Sequence, residues 1–167
     1  MKQHLGALAL LVADYDEAIA WYTRALGFEL IEDTDMGGGK RWVLLAPPGS
    51  SETRLLLAKA NGAEQASRIG NQTGGRVFLL LHTDDFQRDW QRMRAEGVHF
   101  REAPRHEAYG TVSVFEDLYG NGWDLLELKR DEFSTQTVEK SPFAPGSSPG
   151  QALSAAHAES GQGWPQL

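Results

Sequence analysis

The sequence contains no cysteine, which excludes disulfide scaffolds, thiolate nucleophiles and cysteine-based zinc or iron–sulfur sites. Basic residues are also few: 16 Lys and Arg stand against 23 Asp and Glu, which gives a formal net charge of −7. Because nucleic-acid binding depends on clustered positive charge, a nucleic-acid partner is not expected. No apolar run approaches the roughly 20 residues of a membrane-spanning helix, so a membrane partner is not expected either.

An apolar segment over residues 5–13 follows Lys2 near the start of the chain. A basic residue, a short apolar run and small residues also form the pattern of a signal peptide. The same run is typical of a buried strand that leads into a helix beginning after Asp14, and we favour this interpretation. A cytoplasmic protein is then the expectation.

The composition of the chain changes near residue 131. Beyond it lie four of the seven prolines, among Ser, Gly, Ala and Gln, with no sustained apolar period. We therefore predict a folded domain over residues 1–130 and a flexible Pro/Gly/Ser-rich tail over residues 131–167.

The predicted domain contains two similar halves, at about 1–62 and 74–130. In each half an apolar run ends at an aspartate that can cap a helix, and Asp14 corresponds to Asp85, 71 residues later. Apolar residues then recur at helical spacing until Gly27 and Gly97 end the two predicted helices. Short β-type runs follow the helices, at residues 28–32, 41–45 and 53–58 and at residues 99–102, 109–115 and 123–128.

Each half is thus predicted to be a βαβββ module, and the fold class is α+β. The two tandem modules are expected to form a curved eight-stranded mixed sheet around a cleft, with the C-terminal tail outside it. We expect the function to lie on that cleft.

Several segments carry a family pattern. Residues 12–28 read V-x-D-Y-x-x-A-x-x-W-Y-x-x-x-L-G-F, and the second half contributes residues 83–86, 95–98, 109–110 and 115–125. These segments resemble the vicinal oxygen chelate superfamily, which includes glyoxalase I, bleomycin-resistance proteins and extradiol dioxygenases. The resemblance covers about residues 5–130. Its motifs are caps, turns and core positions, so they indicate the fold more than a reaction.

The resemblance also implies where a metal would be held. Metal-dependent members of the superfamily use four ligands, one on the first and one on the last strand of each half. The corresponding residues are Ala7, Leu55 (to within a residue or two), Phe78 and Asp124. Because Ala, Leu and Phe have no metal-donor atoms, we predict no cofactor. A divalent metal held by other donors, such as His82, is the alternative.

Asp124 and His82 are the candidate catalytic residues. Asp124 lies between Trp123 and Leu125, where burial raises a carboxyl pKa toward the range useful for acid/base catalysis. The alternative is a structural ion pair with an arginine, such as Arg76 or Arg101.

The position of His82 follows from strand alternation. Over residues 76–82 this alternation places Phe78, Leu80 and His82 on one face, toward the cleft if Phe78 faces it. The alternative is a strand-end histidine that caps the next helix or meets solvent.

Four residues are candidates for ligand binding: Trp42, Phe78, Arg105 and Tyr109. Trp42 is an aromatic cleft wall or, alternatively, core packing. Arg105 can hold an anionic group, and Tyr109 can stack on a ligand or hydrogen-bond to it. Tyr109 followed by Gly110 is also similar to a structural turn of the superfamily.

The leading hypothesis is a glyoxalase/bleomycin-resistance-like protein that binds a small organic molecule in its cleft without the metal. The alternative is an enzyme of the same superfamily: a lactoylglutathione-lyase-like enzyme, an isomerase, a dioxygenase or a metal-independent acid/base lyase. A third class is an interaction module that uses the tail as a tether. The resemblance also makes a homodimer an expected assembly.

Overall fold

The computed structural model describes residues 1–129, and the predicted tail over residues 131–167 lies outside them. The elements, in chain order, are β1 (Ala7–Val12), α1 (Tyr15–Ala25), β2 (Glu29–Asp35), β3 (Arg41–Ala46), β4 (Arg54–Lys59), α2 (Ala63–Ala66), β5 (Val77–His82), α3 (Phe86–Ala95), β6 (Arg105–His106), β7 (Gly110–Glu116) and β8 (Gly122–Leu128).

The eight strands form two four-stranded mixed sheets, in the orders β1-β4-β3-β2 and β5-β8-β7-β6. Strand β1 pairs with β4 in parallel, and β5 pairs with β8 in the same way. The remaining neighbours are antiparallel. The predicted α+β class with two βαβββ modules is confirmed. Among the described residues no strand pair joins the two sheets, so the eight strands divide into four and four.

The helix ends follow the predicted local signals. The Asp14 carboxylate accepts hydrogen bonds from the backbone N–H groups of Asp16 and Glu17, at 3.0 and 3.2 Å. Asp85 caps α3 by accepting from the Arg88 N–H at 2.9 Å. Gly27 ends α1 with a φ of 71°, a conformation that side chains disfavour.

The apolar N-terminal segment forms strand β1, in which Leu10 and Val12 are fully buried. The strand interpretation of this segment is therefore confirmed. None of the helices within residues 1–129 is long and apolar enough to cross a membrane.

The strand predicted at residues 99–102 is wrong. Phe100 forms only an isolated bridge with Phe115, and a two-residue strand, β6, follows at Arg105–His106. The N–H of Val114 donates to the side chain of Glu102, at 3.3 Å, and this contact interrupts the backbone ladder. Pro104, which has no N–H, comes two residues later.

One apolar core joins the two modules. It contains Leu10 and Leu57 from the first sheet, Trp123 and Leu125 from the second, and Tyr22 from α1. The rings of Tyr22 and Trp123 have their centroids 6.2 Å apart. Since α1 belongs to the first module and Trp123 to the second, the helix packs between the sheets. Each sheet has a second face that this core does not cover.

A buried carboxylate strengthens this junction. Asp117, in the β7–β8 turn, is 5% exposed. Its Oδ2 accepts from Tyr22 Oη at 2.7 Å, Asn121 Nδ2 at 2.9 Å and Trp123 Nε1 at 3.1 Å. Its Oδ1 accepts from the backbone N–H groups of Tyr119 and Asn121, both at 3.0 Å. Both oxygens are therefore fully used in holding α1 against the turn.

Candidate functional site

The first sheet has an uncovered side, which we call the first outer face. Leu44 and Leu56 form a cross-strand pair on it, opposite in direction to the core residues Val43 and Leu57. Trp42 extends from the same face and is 40% exposed. Ala7 and Ala9 of β1 and Ala58 of β4 lie on the same face. The first outer face therefore has an apolar centre with an accessible indole, and it is bordered by Arg54 on β4 and by Glu32 and Thr34 on β2.

A depression of about 560 Å³ adjoins Trp42 on this face. Its wall includes Leu56 and Ala58 from β4 and the glycine-rich hairpin tip at Gly38–Lys40. The glycines of this tip have positive φ values, which a tight turn between β2 and β3 requires. The cationic side chains of Lys40, Arg41 and Lys59 also line the depression. A planar molecule can lie against Trp42 here, with aliphatic contacts from Leu56 and Ala58.

The second sheet has a corresponding second outer face, which includes Leu80, Val112, Val114, Asp124 and Leu126. Register places Leu80 and Val114 directly beside Asp124 on the neighbouring strands. Trp123 and Leu125 point the opposite way, into the core. Asp124 is thus a carboxylate set among apolar side chains, as the sequence suggested.

Burial raises the pKa of the Asp124 carboxyl group. Only 6% of the residue is exposed, and this desolvation raises the pKa of its carboxyl group above the ordinary value of 3.8. The nearby positive charge of Arg105 acts in the opposite direction, and the negative charge of Glu102 adds to the rise. The predicted alternative, an ion pair with Arg76 or Arg101, does not occur, since Arg101 instead binds Glu116 at 2.9 Å.

The loop before β7 places Arg105 and Tyr109 near this face. Arg105 donates from Nε to Glu102 at 2.9 Å and from Nη1 to Glu107 at 2.6 Å. Its guanidinium is therefore already paired with two carboxylates, which weakens its attraction for a further anion. Tyr109 is 41% exposed, and its carbonyl accepts from the Lys129 N–H at 2.9 Å. The binding roles of both residues stay predictions.

Phe78 and His82 do not share a face of the sheet in the structure. The pairing of β5 with β8 shifts register between Val77 and Leu79, which interrupts the expected alternation at Phe78. The Phe78 ring packs edge-on against Trp123, with centroids 6.4 Å apart. His82 is exposed, pairs with Leu126 on the second outer face and borders a groove of about 600 Å³ beside α3.

The positions implied for a metal can now be tested against the structure. Leu55 points into the core, whereas Leu56 lies on the first outer face. Leu56 pairs with Ala9 in the first module, and Asp124 pairs with Leu80 in the same way in the second module. The matching position is therefore Leu56, one residue from the expected one. Together with Ala7 and Phe78, it leaves Asp124 as the single donor, and residues 1–129 contain no group of three His, Asp or Glu side chains able to hold a metal. This donor set does not fit a divalent ion.

The structure brings together only part of the predicted site. Trp42 and the adjoining depression lie on the first outer face, and Asp124 lies on the second. The core covers the opposite side of each sheet.

Sequence reasoning missed Asp117, although its turn belongs to the quoted motif. The spacing Asp117-x-x-Gly120-Asn121 is that of a tight turn whose first aspartate binds the following N–H groups, a signal that identifies a positioning carboxylate. Asp117 fixes the start of β8 and with it the direction of Trp123 and Asp124.

Comparison with known proteins identifies the class. The model of the Glyoxalase/Bleomycin resistance protein/Dioxygenase superfamily matches residues 4–125, so the chain belongs to this superfamily and the resemblance seen in the sequence is confirmed.

Individual relatives agree with this assignment. An uncharacterized protein of Shewanella frigidimarina is 57% identical over 129 residues, which cover 77% of this chain and 96% of that protein. The crystal structure of UcmS2 is 30% identical with a TM-score of 0.67, and the match covers 75% of this chain and 98% of that one. TnmS3, described as an antibiotic binding protein from Streptomyces sp. CB03234, is 28% identical with a TM-score of 0.62 over 77% of this chain and 98% of its own.

Proposed function

We propose that this protein binds a small aromatic organic molecule on its first outer face, without a metal ion. The observation that carries the proposal is Trp42, an indole 40% exposed on an apolar sheet face beside a depression of about 560 Å³. An exposed tryptophan costs hydration free energy unless a partner covers it, and flat aromatic molecules cover it best. The antibiotic-binding description of TnmS3 supports the same ligand class.

The metal-free part of the proposal rests on donor chemistry. Ala7, Leu56 and Phe78 occupy three of the four implied ligand positions, and hydrocarbon side chains cannot coordinate a cation. Protein purified in the presence of nickel, zinc, iron and manganese should retain no stoichiometric metal and should bind its ligand equally well after chelation. Stoichiometric metal, together with loss of binding on chelation, would overturn this part.

We propose further that two copies complete the site, with the first outer face of one chain against the second outer face of the other. The apolar side chains left exposed on the two outer faces support this arrangement: Trp42 and Leu80 are 40 and 44% exposed. Contiguous exposed apolar surface of this kind is characteristic of interaction sites. Sedimentation equilibrium should give a dimer at micromolar concentration, whereas a monomer over the whole range would contradict the arrangement. Placement in the cytoplasm stays a prediction.

The ligand-binding proposal is tested with naphthylmethanol, a flat neutral probe, by titration calorimetry. Trp42→Ala should weaken binding about tenfold or more, because the ring loses both its apolar contact and its stacking partner. Met36→Ala is the matched control, since it removes an exposed apolar side chain from the hairpin between β2 and β3. Equal affinity in Trp42→Ala and wild type, or no binding in either, would refute the proposal.

A second candidate is an enzyme that uses Asp124 as an acid/base, and the raised pKa of this buried carboxyl group favours it. If so, Asp124→Asn should abolish turnover of a substrate and leave its affinity nearly unchanged. Equal loss of turnover and affinity would instead indicate a binding role.

A further inference from the structure

The two buried carboxylates of the second module differ in one respect. Asp117 is 5% exposed and receives hydrogen bonds from five donors of the chain. Asp124 is equally buried, at 6% exposed, yet among residues 1–129 none donates a hydrogen bond to its carboxylate. The Asp124 oxygens still reach solvent, because they are not among the fully buried atoms that lack a partner, and water can bind them in the free chain. A ligand that covers this face removes that water, and the carboxylate then costs free energy unless it gains a new donor.

The described neighbours of Asp124 offer no donor to replace this water, so we look to the ligand for one. Trp123 and Leu125 point into the core, so the intervening Asp124 points out of the second outer face. Its cross-strand neighbours are Leu80 and Val114, neither of which has a donor in its side chain. The nearest cation, Arg105, is held by Glu102 and Glu107.

The charge around Asp124 selects among possible donors. One guanidinium, that of Arg105, faces three carboxylates, those of Glu102, Glu107 and Asp124. The surroundings therefore carry excess negative charge. In a partly desolvated site this charge favours a cationic donor over a neutral one and opposes an anion.

We infer that Asp124 is a specificity-determining residue that binds a protonated amine on an aromatic ligand. This inference rests on the proposed function, in which a second chain brings Trp42 to the ligand beside Asp124. It also replaces the expected anionic ligand at Arg105 by a cationic one.

The test compares four probes of one shape near neutral pH: naphthylmethylamine, naphthylmethanol, methylnaphthalene and naphthoate. Wild-type protein should bind the amine about tenfold or more tightly than methylnaphthalene, since a charge-assisted hydrogen bond in a buried site contributes about 1.5–3 kcal/mol. Naphthoate should bind most weakly. Asp124→Asn should remove most of the preference for the amine while retaining the affinity for methylnaphthalene, which also shows that the variant is folded.

Asp84→Asn is the matched control. It makes the same change in charge at an exposed carboxylate that pairs with Arg88 before α3. It should leave the order of the probes unchanged. An equal effect of both variants would mean that only overall charge matters, and this would overturn the inference.

Three other results distinguish a failure of this inference from a failure of the proposed function. If the amine and methylnaphthalene bind equally well to wild type, and Trp42→Ala weakens both, the inference fails and the proposed function stands. If no probe binds, the proposed function fails. If Asp124→Asn weakens the dimer but not the preference for the amine, the carboxylate binds the second chain rather than the ligand, and the inference is overturned.

Discussion

Replacement of Asp117 by asparagine should be among the most destabilising conservative changes in this fold. The carboxylate is 5% exposed and accepts five hydrogen bonds, three at Oδ2 and two at Oδ1. An amide has one oxygen, and its NH₂ group is a donor. In either orientation the NH₂ group of the new side chain would therefore face at least two N–H or O–H groups that also donate.

The magnitude follows from the number of donors left without an acceptor. Each buried donor that loses its partner costs about 1–3 kcal/mol, so Asp117→Asn should lower the free energy of unfolding by about 3 kcal/mol or more. Tyr22→Phe removes only the 2.7 Å bond from Tyr22 Oη and should cost about 1–2 kcal/mol. Since a domain of this size has about 5–15 kcal/mol in total, the first change should be large and the second moderate.

Urea unfolding followed by tryptophan fluorescence measures both changes, because Trp123 lies in the core and donates to Asp117. Glu52→Gln, at an exposed site, is the control and should stay within about 0.5 kcal/mol of wild type. A cost for Asp117→Asn no larger than that for Tyr22→Phe would refute the reasoning, because it would mean that the donors facing the new NH₂ group find other acceptors.

Two further predictions concern the framework of the site. Gly70→Ala should lower the free energy of unfolding by about 2 kcal/mol or more, since a Cβ at Gly70 would collide with the Tyr119 carbonyl and φ there is 75°. Gly74→Ala is the control, because a Cβ at Gly74 meets open space. Equal urea midpoints for the two variants would contradict the prediction. Asp14→Ala should lower the melting temperature at neutral pH but less at about pH 3. Hydrogen bonds from the Glu17 N–H and Lys59 hold the Asp14 pKa below 3.8. A carboxylate with a lowered pKa stabilises the fold at pH values above 3.8, and this stabilisation is lost as the pH falls through the lowered pKa. A difference in melting temperature that does not change with pH would show that the cap does not act through its charge.

The local parts of this fold were predictable because their causes are local. An aspartate before a helix and a glycine after it act within a few residues, so Asp14, Asp85 and Gly27 could be assigned from the sequence. The segment at residues 99–102 was not predictable in the same way. Its pairing is interrupted by the side chain of Glu102, whose partner, Val114, lies 12 residues away.

The candidate site also depends on long-range packing that the sequence does not reveal. Strand alternation fixes which residues share a face, but not which face meets the core. Leu55 and Leu56 have equal hydrophobicity in the sequence, and only the packing of Leu57 and Val43 against α1 decides that Leu56 is the outward one. At Phe78 the register shift in β5 breaks the alternation itself, and no residue type in the run Val77–His82 indicates where it falls.

The sequence carries a signal, not used in the predictions above, that α1 contacts both modules. A helix that covers one sheet needs one apolar stripe, whereas α1 buries Ala18 and Tyr22 completely and packs Ile19 and Trp21 against the same core. Adjacent residues on a helix point about 100° apart, so this apolar surface is too wide for a single sheet. It requires a second apolar partner, which Trp123 provides. In the proposed dimer, Trp42 of one chain and Asp124 of the other contact the same ligand. If one ligand contacts both Trp42 and Asp124, its apparent affinity must then rise with protein concentration until the dimer is saturated, and an affinity that stays constant through monomer and dimer would place the ligand on a single face.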